Sequence, residues 1–422
     1  MNTLLNRTKG DKVIWTMVIL LAVTSLLVVY SATGSLAYKM YKGRTEVYLF
    51  KQFAFIALGI LIIYFAHRVN YILYSRVAQI LYLLSIPLLI YTLFFGTNLN
   101  DANRWIRLPV INMTFQTSDM AKLALFMYVS RQLSRKQDVI KDFKKGFLPV
   151  IVPIAITCLL IAPANLSTAL LTGATGLLLC FIGRVRVLHI LGTVFVAAVP
   201  VGILILIAVS THDGKKTDTS LTGKPASGVV DKLKSKGRIG TWISRVQDFM
   251  YAQKDDAPYQ IQQAKIAIAK GGWVGVGPGN STQRNFLPHP YSDFIYAIII
   301  EEYGMAGAAM IIFIYLVFLI RCIRLFRNCP YAFGAFLALG LSFTLVIQAM
   351  TNMSVNVNLF PVTGVTLPLV SMGGSSFLFT CLAIGIILSV GRNVEQLEGE
   401  AAEAAAAEAA DAAEVASGRA FA

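Results

Sequence analysis

Ten times along its length this chain runs for about 20 residues with almost no charge, and a helix of that length crosses the roughly 30 Å hydrocarbon core of a bilayer. The runs are 13–33, 48–66, 72–95, 117–134, 147–163, 166–183, 187–210, 292–320, 331–354 and 367–391. Such a chain can fold only where its backbone polar groups are satisfied internally, which predicts an all-α integral membrane protein of about ten transmembrane helices. Composition agrees: 14% of residues are charged, against about a quarter in soluble domains, and the mean hydropathy is +0.65. The fourth run is the weakest, because Asp119 and Lys122 interrupt it. The first follows a basic segment but is long and lacks a small-residue cleavage site, so it reads as a retained span.

An even number of spans puts both termini on one side, and the distribution of Lys and Arg says which. The segments on the side of the termini (1–12, 67–71, 131–146, 184–187, 321–330 and the region after 391) carry 16 basic residues as far as Arg392. The short loops on the other side carry 5: Lys39, Lys42, Arg44, Arg104 and Arg107. Both termini are therefore expected in the cytoplasm. The net charge of +15 is mostly topological, and nucleic acid is excluded as a partner because the charge is not gathered on one soluble surface. The five cysteines form no CxxC pair and the four histidines no HExxH, so neither a disulfide scaffold nor a zinc site is indicated.

Two segments lie outside the bundle. Residues 211–291 form an extracytoplasmic loop between the seventh and eighth spans, too long for a connector. Its first part, Asp213 to Lys236, is polar and rich in Gly and Lys, whereas Gly240 to Lys270 has the apolar spacing of amphipathic helices lying against a membrane. The membrane domain takes residues 1–392, and 393–422 is an Ala/Glu tail without an apolar face, expected to be disordered or a solvated cytoplasmic helix.

Ionisable residues inside spans are costly and so are candidates for function. Asp119 and Lys122, three residues apart, can pair with each other, and Lys122 can also line a polar cavity. Glu301 and Glu302 fall in the eighth span, about 12 Å beyond Asp293 along a continuous helix, and either pair with other helices or belong to a site. Asp293 opens that span, where Ser292 and Asp293 are both good helix caps. Before them comes a run at once glycine-rich and polar (Gly271, Gly272, Gly275, Gly277 and Gly279, then Asn280 to Arg284), which gives backbone amides room to approach a ligand. It is neither a P-loop nor a dinucleotide fingerprint. Near the end, Pro361, Gly364, Pro368, Gly373 and Gly374 punctuate an apolar stretch, indicating a broken or re-entrant segment or a punctuated loop. Four features converge on the outer face: Asn103–Trp105, the 240–293 loop, Asp293 and the 361–376 turn.

Taken together, these stretches resemble the SEDS family (shape, elongation, division and sporulation) of multispan peptidoglycan polymerases, over essentially the whole chain to Arg392. The resemblance is carried by Asn103-Arg104-Trp105-Ile106, Phe115-Gln116-Thr117-Ser118-Asp119, Ala121-Lys122-Leu123-Ala124 and Asn165-Leu166-Ser167-Thr168-Ala169. It continues through Tyr259-Gln260, the glycines at 271–279, Leu287-Pro288, Ser292-Asp293-Phe294-Ile295-Tyr296, Glu301-Glu302 and Gly304. It closes on Pro361-Val362-Thr363-Gly364, Leu367-Pro368-Leu369 and Ser371-Met372-Gly373-Gly374-Ser375-Ser376. The chain departs from the family pattern in four places. Asn165 stands for an acid, His289 for the Glu after Leu-Pro, Met372 for a Tyr, and Thr363 for the Lys frequent in the division branch. The opening Gly10-Asp11-Lys12-Val13-Ile14-Trp15 is more similar to the division branch than to the elongation branch.

The activity implied by the resemblance is polymerisation of lipid II into glycan strands at the outer face of the bacterial cytoplasmic membrane, at the division septum, with release of undecaprenyl pyrophosphate. This chemistry needs a base for the attacking hydroxyl and cations for the leaving pyrophosphate. Asp293 is the expected catalytic residue, as general base or as the group that orients the hydroxyl or a metal. Arg104, Lys122, Arg238, Arg245 and Arg284 are the candidate cations, with Arg104 and Lys122 preferred at motif positions. Trp105 offers an aromatic platform, and Gln260, Ser281, Gln283, Glu301, Ser375 and Ser376 complete the expected substrate contacts. No cofactor is required by the sequence, although a divalent Mg or Mn ion could share the cationic role. The implied partners are lipid II, a class B penicillin-binding transpeptidase, other proteins of the division apparatus and membrane lipids. The alternatives are a lipid II flippase, for which the buried Asp119, Lys122 and Glu301 suit a polar path, an elongation-type polymerase, and a division scaffold without catalysis.

Overall fold

The computed structural model describes residues 10–34, 36, 38, 45–99, 102–108, 113–210, 238–251 and 258–419, so the Asp213–Lys236 stretch lies outside the described residues. Each of the ten expected spans contains a helix: α1 (Lys12–Ala32), α2 (Glu46–Arg68), α3 (Tyr71–Phe95), α4 (Thr117–Arg135), α5 (Leu148–Ile161), α6 (Leu166–Ile182), α7 (Val187–Ser210), α10 (Ile295–Asn328), α11 (Ala332–Asn356) and α12 (Ser375–Arg419). In the long loop lie α8 (Arg238–Tyr251) and α9 (Tyr259–Gly271), where amphipathic helices were expected. Eight helices among the described residues are long and apolar enough to cross a bilayer. The other two are α6, 17 residues long, and α4, which carries Asp119 and Lys122.

Helix starts follow local chemistry. Asp11 caps α1, accepting from the Val13 and Ile14 N–H groups at 2.9 and 3.4 Å. Its second oxygen takes the Arg321 guanidinium at 2.8 and 2.7 Å, tying the start of α1 to the far end of α10. Asn70 caps α3 through the Ile72 N–H at 3.0 Å, and Asn165 caps α6 through the Thr168 N–H at 3.3 Å. A helix cap needs an acceptor and not a charge, so Asn165 serves this cap in place of the family's acid.

Bundle packing is uneven. Helix α11 is the most enclosed span, packed by α4, α6, α10 and α12, whereas on α7 only Ile190 and Ala208 are buried. Helices α2 and α12 meet along a seam of small residues, where an added Cβ on Gly385 would lie 2.6 Å from the Ala66 Cβ and 3.2 Å from the Ile63 backbone. Gly385→Ala gains up to about 1 kcal/mol of helix propensity but overpacks a rigid seam at a cost of about 1–3 kcal/mol. A lower thermal unfolding midpoint of the purified variant in detergent is the expected result.

Three elements depart from the sequence expectation. A three-stranded antiparallel sheet, β1 (Thr97–Leu99), β2 (Ala102–Leu108) and β3 (Met113–Gln116), adds to an otherwise all-α fold between α3 and α4. Alternation at Trp105, Arg107 and Thr114, Gln116 carries its signal, but the strands are too short to stand out beside the spans. The eighth span is not continuous: Gly304 (φ 69°, ψ −169°) breaks α10. Tyr296 Oη reaches the Ala308 carbonyl at 3.4 Å, although 12 residues of straight helix would separate them by about 18 Å, so 295–303 folds back on the helix that follows. Glu301 and Glu302 therefore belong to a short pre-span helix and not to the depth of the span. Finally, α12 begins at Ser375, not near 367, and 361–374 is an irregular segment, in line with its prolines and glycines.

Candidate functional site

At the end of the bundle that carries the sheet, two irregular stretches meet around the terminus of α11: the turn that closes the 271–294 run, and the 361–374 segment. Their meeting is organised by a stripe of amides on α11. Gln348, Asn352 and Asn356 recur every fourth residue, so they stack on one face about 6 Å apart. Gln348 Nε2 donates to the Thr366 carbonyl at 3.0 Å, and Asn352 Nδ2 to the carbonyls of Val365 at 2.7 Å and Asp293 at 2.9 Å. Asn356 Nδ2 donates to the Asp293 carbonyl at 2.9 Å, while its Oδ1 accepts from the Ala297 N–H at 3.1 Å. Ser371 adds a link to the Ser292 carbonyl at 2.7 Å, and the Met372 N–H one to Tyr291 O at 3.0 Å. Irregular backbone in a membrane bundle is tolerated only when its polar groups are satisfied in this way.

The product of this scaffold is a fixed Asp293. Its main chain is clamped while its half-buried carboxylate, among the described residues, accepts a side-chain hydrogen bond from the Ser292 hydroxyl alone, at 2.8 Å to Oδ1. The helix-cap reading fails, because the cap position of α10 is Phe294 and no side chain caps it. Beside the carboxylate stand Arg245 from α8 and Tyr291. Burial pulls the Arg245 guanidinium below its ordinary value and the Asp293 charge pushes it back up. Burial and the same carboxylate hold the Tyr291 phenol above its ordinary value. Arg245 Nη1 also donates to the Val362 carbonyl at 3.2 Å, which fixes α8 against the irregular segment.

One step along the amide stripe lies Lys122. Its Nζ pairs with Asp119 Oδ1 at 2.8 Å and donates to Gln348 Oε1 at 3.3 Å, so the expected intrahelical pair forms and a third partner joins it. Lys122 separates two cavities. One, about 30 Å³, is lined by Asp119, Thr344, Gln348, Ser376 and Thr380, and the other, about 20 Å³, by Thr168, Thr172, Thr175, Thr344 and Gln348. The same stripe thus carries both the cation and the framework of the acid.

The remaining expected site residues are placed differently. Glu301 is fully buried, accepting from the Thr282 N–H at 3.0 Å and Oγ1 at 3.1 Å, from the Gln283 N–H at 3.2 Å, and from Ser281 Oγ, with Lys270 Nζ at 3.7 Å. Glu301, Ser281 and Gln283 are brought together, but in a knot that ties the end of the glycine-rich run to α10. Glu302, also buried, accepts from Ser31 Oγ and from the Ser281 N–H at 3.4 Å. Arg284 bonds the Ser31 carbonyl at 3.0 Å and so joins α1 to the same knot. Ser375 is buried and accepts from the Gln116 N–H at 3.1 Å, docking the sheet, whereas Ser376 lines the larger cavity. Trp105 is half-buried in β2 between Thr97 and Gln116, and Gln260 is half-buried in the first turn of α9. The side chains of Arg104 and Arg238 lie outside the described residues. Among the described residues no group of three or more His, Cys, Asp or Glu side chains could hold a metal ion. Sequence reasoning missed Gln348, Asn352 and Asn356, and quoted Ser371 in a motif without giving it a role; the four-residue amide repeat within an apolar run was the available signal.

Comparison with known proteins follows the same lines. A model of the cell cycle protein family that joins FtsW, RodA and SpoVE matches residues 11–396. A probable peptidoglycan glycosyltransferase FtsW of Trichlorobacter lovleyi is 32% identical over 400 residues, covering 93% of this chain and 96% of the relative. Stage V sporulation protein E of Bacillus subtilis is 29% identical over 393 residues, covering 92% and 98%. Among solved structures, a chain of a peptidoglycan synthase complex that coordinates polymerization and crosslinking superposes with a TM-score of 0.68 at 22% identity, over 92% of this chain and 99% of that one. The rod shape determining protein RodA of Thermus thermophilus gives 0.61 at 21% identity, over 92% and 98%. By the family model's match over residues 11–396 and 32% identity to a relative over 93% of its own length, the chain belongs to the FtsW/RodA/SpoVE family of cell cycle proteins.

Proposed function

We propose that this protein is a peptidoglycan glycosyltransferase that polymerises lipid II at the outer face of the cytoplasmic membrane, in the division branch of its family. The observation that carries the reading is Asp293. Among the described acids at this end, Glu301 and Glu302 are sealed in a structural knot, Asp119 is paired with Lys122, and Glu46 and Asp248 lie off the amide stripe, while Asp293 is half-buried on a main chain clamped by two amides, with Arg245 and Tyr291 beside it. The names of the relatives near 31% identity favour division over elongation.

In this mechanism Asp293 accepts the proton of the acceptor sugar's 4-hydroxyl as its oxygen attacks the donor's anomeric carbon. The bond from that carbon to the pyrophosphate oxygen breaks, and undecaprenyl pyrophosphate leaves with the bonding pair. Charge develops on that oxygen, so fixed cations contribute where it forms. Arg245 is placed for this beside Asp293, Lys122 lies one step along the stripe, and Arg104 is assigned by motif. Trp105, Gln260 and Ser376 supply the outer contacts to the glycan and lipid. A single carboxylate does not make a resident Mg or Mn site, so a divalent cation would arrive with the pyrophosphate as part of the substrate. The 16-to-5 basic asymmetry supports cytoplasmic termini, which puts Asp293 on the outer side, where a transpeptidase can receive the strands.

Transport of lipid II is the second reading, and the polar cavities flanking Lys122 favour it. Purified protein given lipid II, with and without a class B transpeptidase, separates the two. Glycan strands of many disaccharides with released undecaprenyl pyrophosphate are expected; translocation in vesicles without strand formation would replace this reading with transport.

A further inference from the structure

The end of the bundle opposite Asp293 carries a structured basic surface that the proposed reaction does not use. The α4–α5 connection is not a slack loop. Asp142 caps a π-turn over Phe143–Phe147, accepting from the Lys145 N–H at 2.7 Å, and the Lys136 ammonium donates to the Lys145 carbonyl at 2.8 Å. Gly146 sits so close to the 139–140 turn that an added Cβ would lie 2.1 Å from the Val139 carbonyl oxygen. The start of α7, just after the α6–α7 connection, packs onto this turn through His189, whose ring lies 5.2 Å from Phe143 and 5.3 Å from Phe147. Two connections far apart in sequence thus form one platform. The Asp142 carboxyl is held below its ordinary value, first by the Lys145 N–H, then by the Lys144 N–H and by the charges of Lys145 and Arg186.

Five cationic side chains are exposed on the platform: Lys141, Lys144, Lys145, Arg184 and Arg186. None of them is spent in an ion pair among the described residues. They stand among exposed apolar side chains, with Phe143 51%, Val187 52% and Leu188 77% accessible. Leu188 is in the first turn of a span, so the cations lie at the hydrocarbon boundary and not out in the cytosol. A basic loop that only sets topology needs charge alone. A fixed turn, cations from two connections and apolar anchors at lipid depth match a ligand with both an anionic head and acyl chains.

We propose that this platform binds the phosphate headgroup of an anionic phospholipid, with its acyl chains against Phe143, Val187 and Leu188. Each basic side chain near such a surface contributes about fivefold in binding. Replacing Lys144, Lys145 and Arg186 together by Gln is therefore expected to weaken binding by at least about tenfold after screening by salt.

The test uses the full chain in nanodiscs of phosphatidylcholine doped with spin-labelled phosphatidylglycerol or, separately, spin-labelled phosphatidylcholine. The wild type should immobilise the anionic probe preferentially, and 0.5 M NaCl should lower that preference. The triple variant should lose it, while Lys144→Arg with Lys145→Arg keeps it. Because removing positive charge can disturb insertion, the salt titration on wild type stands as a readout without mutation. Equal immobilisation of both probes by the wild type overturns the proposal, as does a triple variant of unchanged preference. Loss of the preference in a few millimolar inorganic phosphate also overturns it, since the surface would then be a site for free anions. So does loss on adding an acidic protein extract at constant salt, which would make it a protein-docking surface.

Discussion

Asp293→Asn is expected to accumulate and unfold like the wild type, yet to form glycan strands about 10²–10⁴ times more slowly, the usual span of a general-base contribution. The folding half of this expectation comes from where the residue is held. Asn352 and Asn356 bond the Asp293 carbonyl, not its side chain, and the side chain caps no helix. Its side-chain partner among the described residues, the Ser292 hydroxyl, finds an equivalent acceptor in the Asn Oδ1. What disappears is the negative charge beside Arg245 and the basic oxygen. A flippase should keep moving lipid II with this substitution, and a scaffold should support division unchanged. The measurement is strand formation by purified wild-type and variant protein, each with the transpeptidase present, alongside thermal unfolding. Near-normal strand formation at equal stability would remove Asp293 from the chemistry.

Much of the frame was legible because hydropathy reports burial in lipid directly. The apolar runs located a helix in every expected place, the Asp119–Lys122 spacing foretold its ion pair, and the prolines and glycines of 361–374 marked the irregular segment. What stayed hidden depends on contacts between distant segments. Nothing local to Glu301 says that the amides of Thr282 and Gln283 will enclose it, because the fold-back at Gly304 brings them there. A glycine within a span reads equally well as a packing residue, and only its positive φ shows the break. The amide stripe of α11 was visible as a spacing, but its meaning was not, since its partners are backbone carbonyls some 10 to 60 residues away. Departures from family pattern resolve on the same basis: Asn165 retains a cap that needs only an acceptor.

Lys122 calls for a different design, because deletion answers nothing. Lys122→Met would leave the buried Asp119 without its cation, and breaking a buried pair costs about 3–5 kcal/mol, so lost activity would be indistinguishable from lost fold. Exchanging the two, Asp119→Lys with Lys122→Asp, retains the pair and shifts the cation by three residues, about 4.5 Å along α4. At position 122 the new carboxylate would meet Gln348, whose amide can turn its NH₂ towards it only by giving up the Thr366 carbonyl. The exchange should therefore leave the bulk of the fold near wild-type stability, with a modest loosening at 366. Its catalytic effect should be far larger. If Lys122 meets the pyrophosphate, the cation is withdrawn from between the two cavities and a negative charge is put in its place. A single lost electrostatic contact to a developing charge typically costs about 10²–10³ in rate. Strand formation and release of undecaprenyl pyrophosphate should fall together by at least that factor. If Lys122 serves only to neutralise Asp119, the exchanged protein should polymerise at close to the normal rate, and the cationic role would pass to Arg245 and Arg104.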